Sequence, residues 1–413
     1  MGDKMETKNS LKTLKFRNRK LVLSFMRGAG AVSVNEISRA TGLSKMTVHK
    51  IVDHYMKEGM IAFAGKGVST EEGGKKPNLF SFNAHCRFLF AVRIGLGFVA
   101  CSMVNLKGEI IAGRKTLSTD GQSFADTMAN VGTCFHALLE EGFLATENCL
   151  AAVVGCNGIV DVDSGVVMAS YQHRTWGLNI PLGESLAKVL PVGVTVYVDS
   201  WWRHMAHGEI HFAENNERNR FFLMGNSGDC VSGGFVDHGR VCAGASGFAG
   251  EIGHIVVAPG HDEVCVCGGR GCLESLVAPS QVVKKAVAGR ASYPDSRIFA
   301  ECGAERTPSF QAICLAADTC DALARAVLDE VIGHFAVAIN SIVHICDPGR
   351  VVLLGDYATA GSYFLNSLAR RIGETSLHGI DKRTIIECSR LSDDHGVIGA
   401  ASMMTDTMFA GGR

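Results

Sequence analysis

The residues of this chain best suited to coordination chemistry lie in two runs, Glu251-Ile-Gly-His254 and Cys265-Val-Cys267-Gly-Gly-Arg-Gly-Cys272-Leu-Glu274. One imidazole and three thiols fall within nineteen residues, and Gly268, Gly269 and Gly271 supply the backbone freedom that a tight knuckle needs. His254, Cys265, Cys267 and Cys272 make a closed tetrahedral ligand set for zinc, with no open position for a catalytic water. A structural zinc is therefore expected. Chance clustering in a chain with 15 cysteines is the alternative, but the Cys-x-Cys-Gly-x-x-Gly-Cys spacing beside a histidine is far more specific than composition.

A knuckle of this kind needs a folded body around it. With 413 residues, 47% of them hydrophobic, the chain can bury the cores of two or three domains. No run of 18 apolar residues occurs and the start, MGDKMETKNS, has no secretory pattern, so a soluble cytoplasmic protein with reduced thiols is expected. The cysteines outside the knuckle read as small buried apolar residues. A net charge of −1 hides a split. Residues 1–80 hold fifteen Lys and Arg against seven Asp and Glu, a balance of +8, which leaves −9 on the remainder. That asymmetry suggests a basic head for a polyanion on an acidic body, with a solvated basic tail as the alternative.

The pattern within the head decides between them. Arg17–Arg27 has Leu21, Val22, Phe25 and Met26 at helical spacing, and Gly28 and Gly30 end it. Val34–Thr41 reads as a second helix, with Ser33 as N-cap and Glu36 at the capping-box position. After Gly42, Ser44 caps a third helix that buries Val48, Ile51, Val52 and Tyr55. Helix, glycine turn and helix is the layout that sets a second helix in the DNA major groove. Ser44, Lys45, Thr47, His49 and Lys50 are the candidate DNA contacts on it, with Met46 also exposed. Strands at Gly59–Phe63 and Leu79–Phe82 would flank a polar wing carrying Lys66, Lys75 and Lys76. A three-helix protein-docking module is the competing reading, and the local charge weighs against it.

At Glu251–Glu274 the sequence resembles the ROK family of repressors and sugar kinases, whose signature carries this Glu-x-Gly-His and this cysteine spacing. The resemblance spans about residues 15 to 405. It implies an α/β fold: an N-terminal winged helix-turn-helix (1–82), then a two-lobed, actin-like ATPase fold. The smaller lobe would be 83–198, completed by a C-terminal helix at 396–413, and the larger lobe 199–395. The family kinases open with Asp-x-Gly-Gly-Thr-Lys; here the matching positions are Arg93, Gly95, Leu96, Gly97 and Phe98, with Leu96 and Phe98 expected to fill the phosphate space. Their second phosphate loop, Gly-Thr-Gly-Ile-Gly-Gly-Gly, is Gly228-Asp-Cys-Val-Ser-Gly-Gly234 here, which puts the charge of Asp229 against a polyphosphate. Near Gly355 a second kinase glycine is Asp356. Nucleotide binding is expected to be lost, and no catalytic residue is assigned.

By the same resemblance Gly158, Asp199, Glu251, His254 and Glu274 form an effector site for a sugar or sugar phosphate, a chemistry that carboxylates and an imidazole suit. Two positions depart from the family: Val198 replaces an Asn, and Trp201 and Trp202 either line the pocket or close it. The expected function is a sugar-responsive transcriptional regulator, a repressor, that binds a double-stranded operator as a homodimer or homotetramer. The alternatives are a working sugar kinase with a DNA-binding head and a regulator whose body binds a protein partner.

Overall fold

The computed structural model describes residues 3–68, 76–170, 174–212, 220–299, 307–374 and 384–409. Its N-terminal unit comprises α1 (Asp3–Gly28), β1 (Val32–Ser33), α2 (Val34–Thr41), α3 (Lys45–Lys57), β2 (Ile61–Lys66) and β3 (Asn78–Phe82). Both expected caps form. Ser33 Oγ accepts from the Glu36 amide at 3.3 Å while Glu36 Oε2 accepts from the Ser33 amide at 2.7 Å. The Ser44 hydroxyl accepts from the Thr47 amide, and Gly42 takes the left-handed turn at φ +69° that ends α2. Val22, Leu23 and Met26 of α1 bury against Ile37, Val48, Ile51, Val52, Phe80 and Phe82. Two details were not read from the pattern: α1 begins well before Arg17, and β1 pairs with β3 to give a sheet of order β1-β3-β2. The first wing strand also starts two residues later than expected, at Ile61.

The head does not end at Phe82. Leu106 and Leu150, from the next unit, complete its core, and the Leu106 amide donates to Ala84 O at 3.1 Å. That unit is built on β4 (Phe88–Gly95), β5 (Phe98–Asn105), β6 (Ile110–Ser118), β7 (Cys149–Cys156) and β11 (Thr195–Ser200), in the order β11-β7-β4-β5-β6. Side chains alternate across its faces. Phe88, Phe90, Val92 and Ile94 pack under α4 (Phe124–Glu141) and α5 (Leu182–Val189), whereas Leu89 and Ala91 point to the other face. Between β7 and α5 lies a small sheet of β8 (Ile159–Asp161), β9 (Val166–Ala169) and β10 (Leu178–Ile180).

A second sheet, β14-β13-β12-β15-β16, comprises β12 (Phe221–Ser227), β13 (Cys230–Asp237), β14 (Arg240–Cys242), β15 (Arg350–Leu354) and β16 (Ile385–Cys388). One face carries α7 (Leu273–Val277), α8 (Pro279–Gly289), α9 (Phe310–Asp318), α10 (Ala322–Cys346) and α11 (Gly361–Glu374) over the largest core. Among the described residues α10 is the one helix long and apolar enough to cross a membrane, yet half of its apolar stretch lies inside this core.

Between the two sheets runs α6 (Trp201–Phe212), which follows β11 directly. Its Trp201, Trp202, Met205 and Ala206 pack on Phe221, Leu223, Val236, Val352 and Leu354 of the second sheet. The C-terminal helix α12 (Asp393–Phe409) packs along α6 and sets Ala400, Ala401 and Met404 against the first sheet. It starts at Asp393, three residues before the expected Gly396. The start of a helix held between two sheets is buried on more than one side, which explains the two tryptophans.

Candidate functional site

The knuckle is assembled by short-range geometry. The Leu273 amide donates to Ile255 O at 2.9 Å, and the Val257 amide to Gly271 O at 2.9 Å, which fold the cysteine run back on His254. Gly271, at φ +68°, makes the reversal, and a side chain there would run into the Ala258 backbone. The donor atoms of His254, Cys265, Cys267 and Cys272 all lie within 4.8 Å of one another. Around a tetrahedral zinc bonded at about 2.3 Å to sulfur and about 2.0 Å to nitrogen, two sulfurs sit about 3.8 Å apart and sulfur and nitrogen about 3.5 Å apart. Here Cys267 Sγ and Cys272 Sγ are 3.8 Å apart, and Cys265 Sγ is 3.5 Å from His254 Nδ1. The cluster can hold a metal ion, and its donor set and spacing fit zinc. Burial pushes the Cys265 thiol up to about 12 and raises Cys272, so these sulfurs give up their protons only to a cation.

With Nδ1 facing the thiols, His254 Nε2 points to Glu251 Oε2 at 4.0 Å. Glu251 is largely buried, and burial lifts its carboxyl to about 7, with Arg203 opposing and Glu274 adding to the rise. Glu274 is buried in the first turn of α7; its Oε2 accepts from the Val231 amide at 2.9 Å and Oε1 lies 4.0 Å from Cys265 Sγ. Glu274 therefore joins the second sheet to the knuckle, and Glu251 and Asp199 are left as the more open acids.

Asp199 is engaged by the chain itself. Its Oδ1 accepts from Arg203 Nε at 2.5 Å and from the Ser200 amide at 2.7 Å, and Arg203 Nη2 is also 2.5 Å away. Arg203 is 3% exposed and donates through Nη1 to Gly247 O at 3.2 Å. Sequence reading passed over Arg203, although an acid and a base four residues apart at a helix start is an ion-pair signal. Gly158 lies at the other side, where an added Cβ would come 2.5 Å from Ala169 O, so only glycine permits the β8–β9 sheet to close there. Trp201 and Trp202 are both core residues, so neither offers a stacking face to a ligand.

The loops matching the kinase phosphate positions are occupied by the chain itself. Arg93, Gly155 and Asp199 are register neighbours on β4, β7 and β11. Arg93 is 5% exposed and lies over the rings of Phe98 at 5.2 Å and Trp201 at 4.6 Å, while Nη2 donates to Ser227 Oγ at 3.2 Å. Leu96 does not fill this space as expected; it is 58% exposed at the tip of the β4–β5 hairpin, where a turn points its side chain outward. Asp229 Oδ1 accepts from the Ser280 amide at 3.0 Å and so caps α8. Asp356 Oδ2 and Oδ1 accept from Asn226 and Gln311, both at 2.7 Å, tying β12 to β15 and α9.

In the head, Lys45, His49 and Lys50 are exposed along one side of α3, and Met46 stands out beside them. Ser44 and Thr47 bond each other through their hydroxyls at 2.9 Å. Lys66 and Lys76 are exposed at the wing base, and Lys75 lies outside the described residues. The exposed thiol of Cys320, 3.1 Å from Arg325 Nη2, departs from the expectation that cysteines outside the knuckle are buried.

The chain is 26% identical over 400 residues to a xylose repressor of Caldicellulosiruptor bescii, covering 96% of this chain and 97% of the relative. It is 25% identical over 393 residues to the DNA-binding transcriptional dual regulator NagC of Escherichia coli, covering 92% and 90%. A glucokinase of Thermotoga maritima matches 61% of this chain at 27% identity, covering 78% of the relative. Among solved structures, a ROK family transcriptional regulator homologous to the E. coli MLC protein superposes with a TM-score of 0.81 at 21% identity, over 96% of this chain and 98% of that one. Residues 89–407 match the ROK family, and the chain belongs to it.

Proposed function

We propose that this chain is a sugar-responsive DNA-binding transcriptional regulator, a repressor, whose kinase-like body binds its effector without phosphorylating it. The carrying observation is Arg93, a buried guanidinium clamped between Phe98 and Trp201 and bonded to Ser227. In the kinase motif a carboxylate stands at this position to organise the metal; a guanidinium there repels it. Asp229 and Asp356 add fixed negative charge at the other phosphate-loop positions and are held by protein donors. Full-length similarity to a xylose repressor and to a DNA-binding transcriptional dual regulator, against partial coverage by the glucokinase, supports the same reading.

In this proposal residues 1–82 are the DNA-binding unit, with Ser44, Lys45, Thr47, His49, Lys50, Lys66, Lys75 and Lys76 as contacts. Asp199, Glu251, His254, Glu274 and the backbone at Gly158 meet a sugar between the 83–198 and 199–395 lobes. His254, Cys265, Cys267 and Cys272 hold a structural zinc, which supplies a rigid anchor that aims His254 Nε2 and Glu251 into the site. Two copies read a two-fold operator. The deciding experiment is a coupled assay with ATP and a hexose panel. Turnover no higher than that of the Asp199→Ala variant is expected, and turnover clearly above it would make the chain a kinase.

A further inference from the structure

We propose that Arg203 is a positioning residue of the effector site and that, by committing its charge to Asp199, it restricts the site to neutral sugars. The inference rests on the sugar-binding reading above and goes on to name the ligand class.

The guanidinium has little left to offer a ligand. Nε and Nη2 both face Asp199 Oδ1 at 2.5 Å, and Nη1 donates to Gly247 O, in the loop that leads into Glu251. The Ser200 amide completes the shell of Oδ1. Asp199 Oδ2 has no hydrogen bond among the described residues, so it remains an acceptor held in one direction. The other buried guanidinium nearby, Arg93, is stacked on two rings and bonded to Ser227. What remains for the ligand is Asp199 Oδ2, the Glu251 carboxyl, the partly engaged Glu274 and His254 Nε2. The carboxyl oxygens are acceptors for sugar hydroxyls, and the charge of Asp199 is a like charge for a phosphate or carboxylate. The selectivity comes from repulsion of the wrong ligand as much as from contacts to the right one.

The test is calorimetry on the full-length, zinc-loaded protein. The neutral probes are D-glucose, D-xylose, D-mannose and N-acetyl-D-glucosamine; the anionic probes are glucose 6-phosphate, N-acetylglucosamine 6-phosphate and gluconate. At least one neutral sugar should bind, and the anionic probes at least about a hundredfold more weakly. A sugar phosphate or acid binding as tightly as the best neutral sugar would overturn the proposal. Binding by no probe at all would instead sink the sugar reading beneath it. The Asp199→Asn variant frees the guanidinium charge and should narrow the neutral-to-anionic affinity ratio by at least tenfold. Adding Arg203→Met to it should widen the ratio again. A ratio that stays constant in both variants, with melting temperature and zinc content unchanged, would leave Arg203 a merely structural residue. Should either variant fail to fold, the ratio measured on the unaltered protein still decides.

Discussion

Arg27 Nη2 donates to Ser402 Oγ at 2.7 Å and lies 3.1 Å from His211 Nδ1. Arg27 is in the last turn of α1, in the head; Ser402 is on α12 and His211 in the last turn of α6. The first turn of that same α6 carries Trp201 and Arg203 beside Asp199. One helix of 12 residues, packed between two sheets, thus reaches from the proposed effector site to the DNA-binding unit. Packed helices shift as rigid bodies, so a ligand that moves Arg203 has a short physical route to Arg27.

Replacing Arg27 by Ala should therefore separate the two activities. Operator affinity without sugar and sugar affinity without operator should each change by no more than about threefold, because neither surface is touched. The sugar-induced loss of operator affinity, which at about a hundredfold would need about 2.7 kcal/mol of coupling, should fall below about threefold. Fluorescence anisotropy on an operator selected from random DNA, with and without saturating sugar, measures it. An undiminished effect would place the coupling route elsewhere.

Lys45→Ala and Lys50→Ala should each weaken operator binding and lower the slope of log K against log salt by about 0.9, one released counterion per phosphate contact. Both side chains are exposed on the free side of α3, so the fold is not expected to change. Anisotropy titrations at four salt concentrations check the slope; an unaltered slope in both variants would exclude α3 as the phosphate-contacting helix.

The elements of the head were legible because their signals are local. The Ser33–Glu36 capping box, the Ser44 cap and the glycine between two short helices are set by neighbours within a few residues, and so was the cysteine knuckle. The proposed ligand site was only half legible. Asp199 stands near the end of the strand expected, but Arg203 was passed over, since only the fold shows that the start of this helix is buried between two sheets. For the same reason Trp201 and Trp202 could not be assigned to core or pocket from sequence. The β8–β9–β10 sheet escaped notice because its strands span only three or four residues, too few for alternation to show. Leu96 was given to the cleft because bulk alone was counted; a hairpin turn decides direction independently of size.

Asp321 caps α10 and offers a pH test of stability. Burial pushes its carboxyl up, but the amides of Ala324 and Arg297 and the Ser296 hydroxyl outweigh it and hold it below the usual range. A depressed folded pKa gives stability that is present above the unfolded value and lost as pH falls through the folded one. Asp321→Ala should cost about 1–2 kcal/mol at pH 7 in urea unfolding. The gap between variant and parent should shrink steadily below about pH 4. A gap independent of pH would mean that the charge plays no part in the cap.

The knuckle makes the most exposed claim. Purified protein should contain one zinc per chain, and its removal by a strong chelator should destabilise the body as well as weaken sugar binding, because the backbone bonds that fold the cysteine run back on His254 are few and the metal would tie all four side chains together. A loss of about 3 kcal/mol lowers the melting temperature by about 6–12 °C in a unit of this size. Cys267→Ser, which alters one half-exposed ligand atom, should reproduce most of that drop without disturbing the core. Since burial keeps Cys265 and Cys272 protonated in the absence of a cation, metal uptake must release protons. Zinc affinity should accordingly fall as pH is lowered, and calorimetric enthalpies should depend on the ionisation heat of the buffer. Uptake without proton release would mean that the thiols are not the ligands, and a metal-free protein with an unchanged melting temperature would mean that the knuckle stands without zinc.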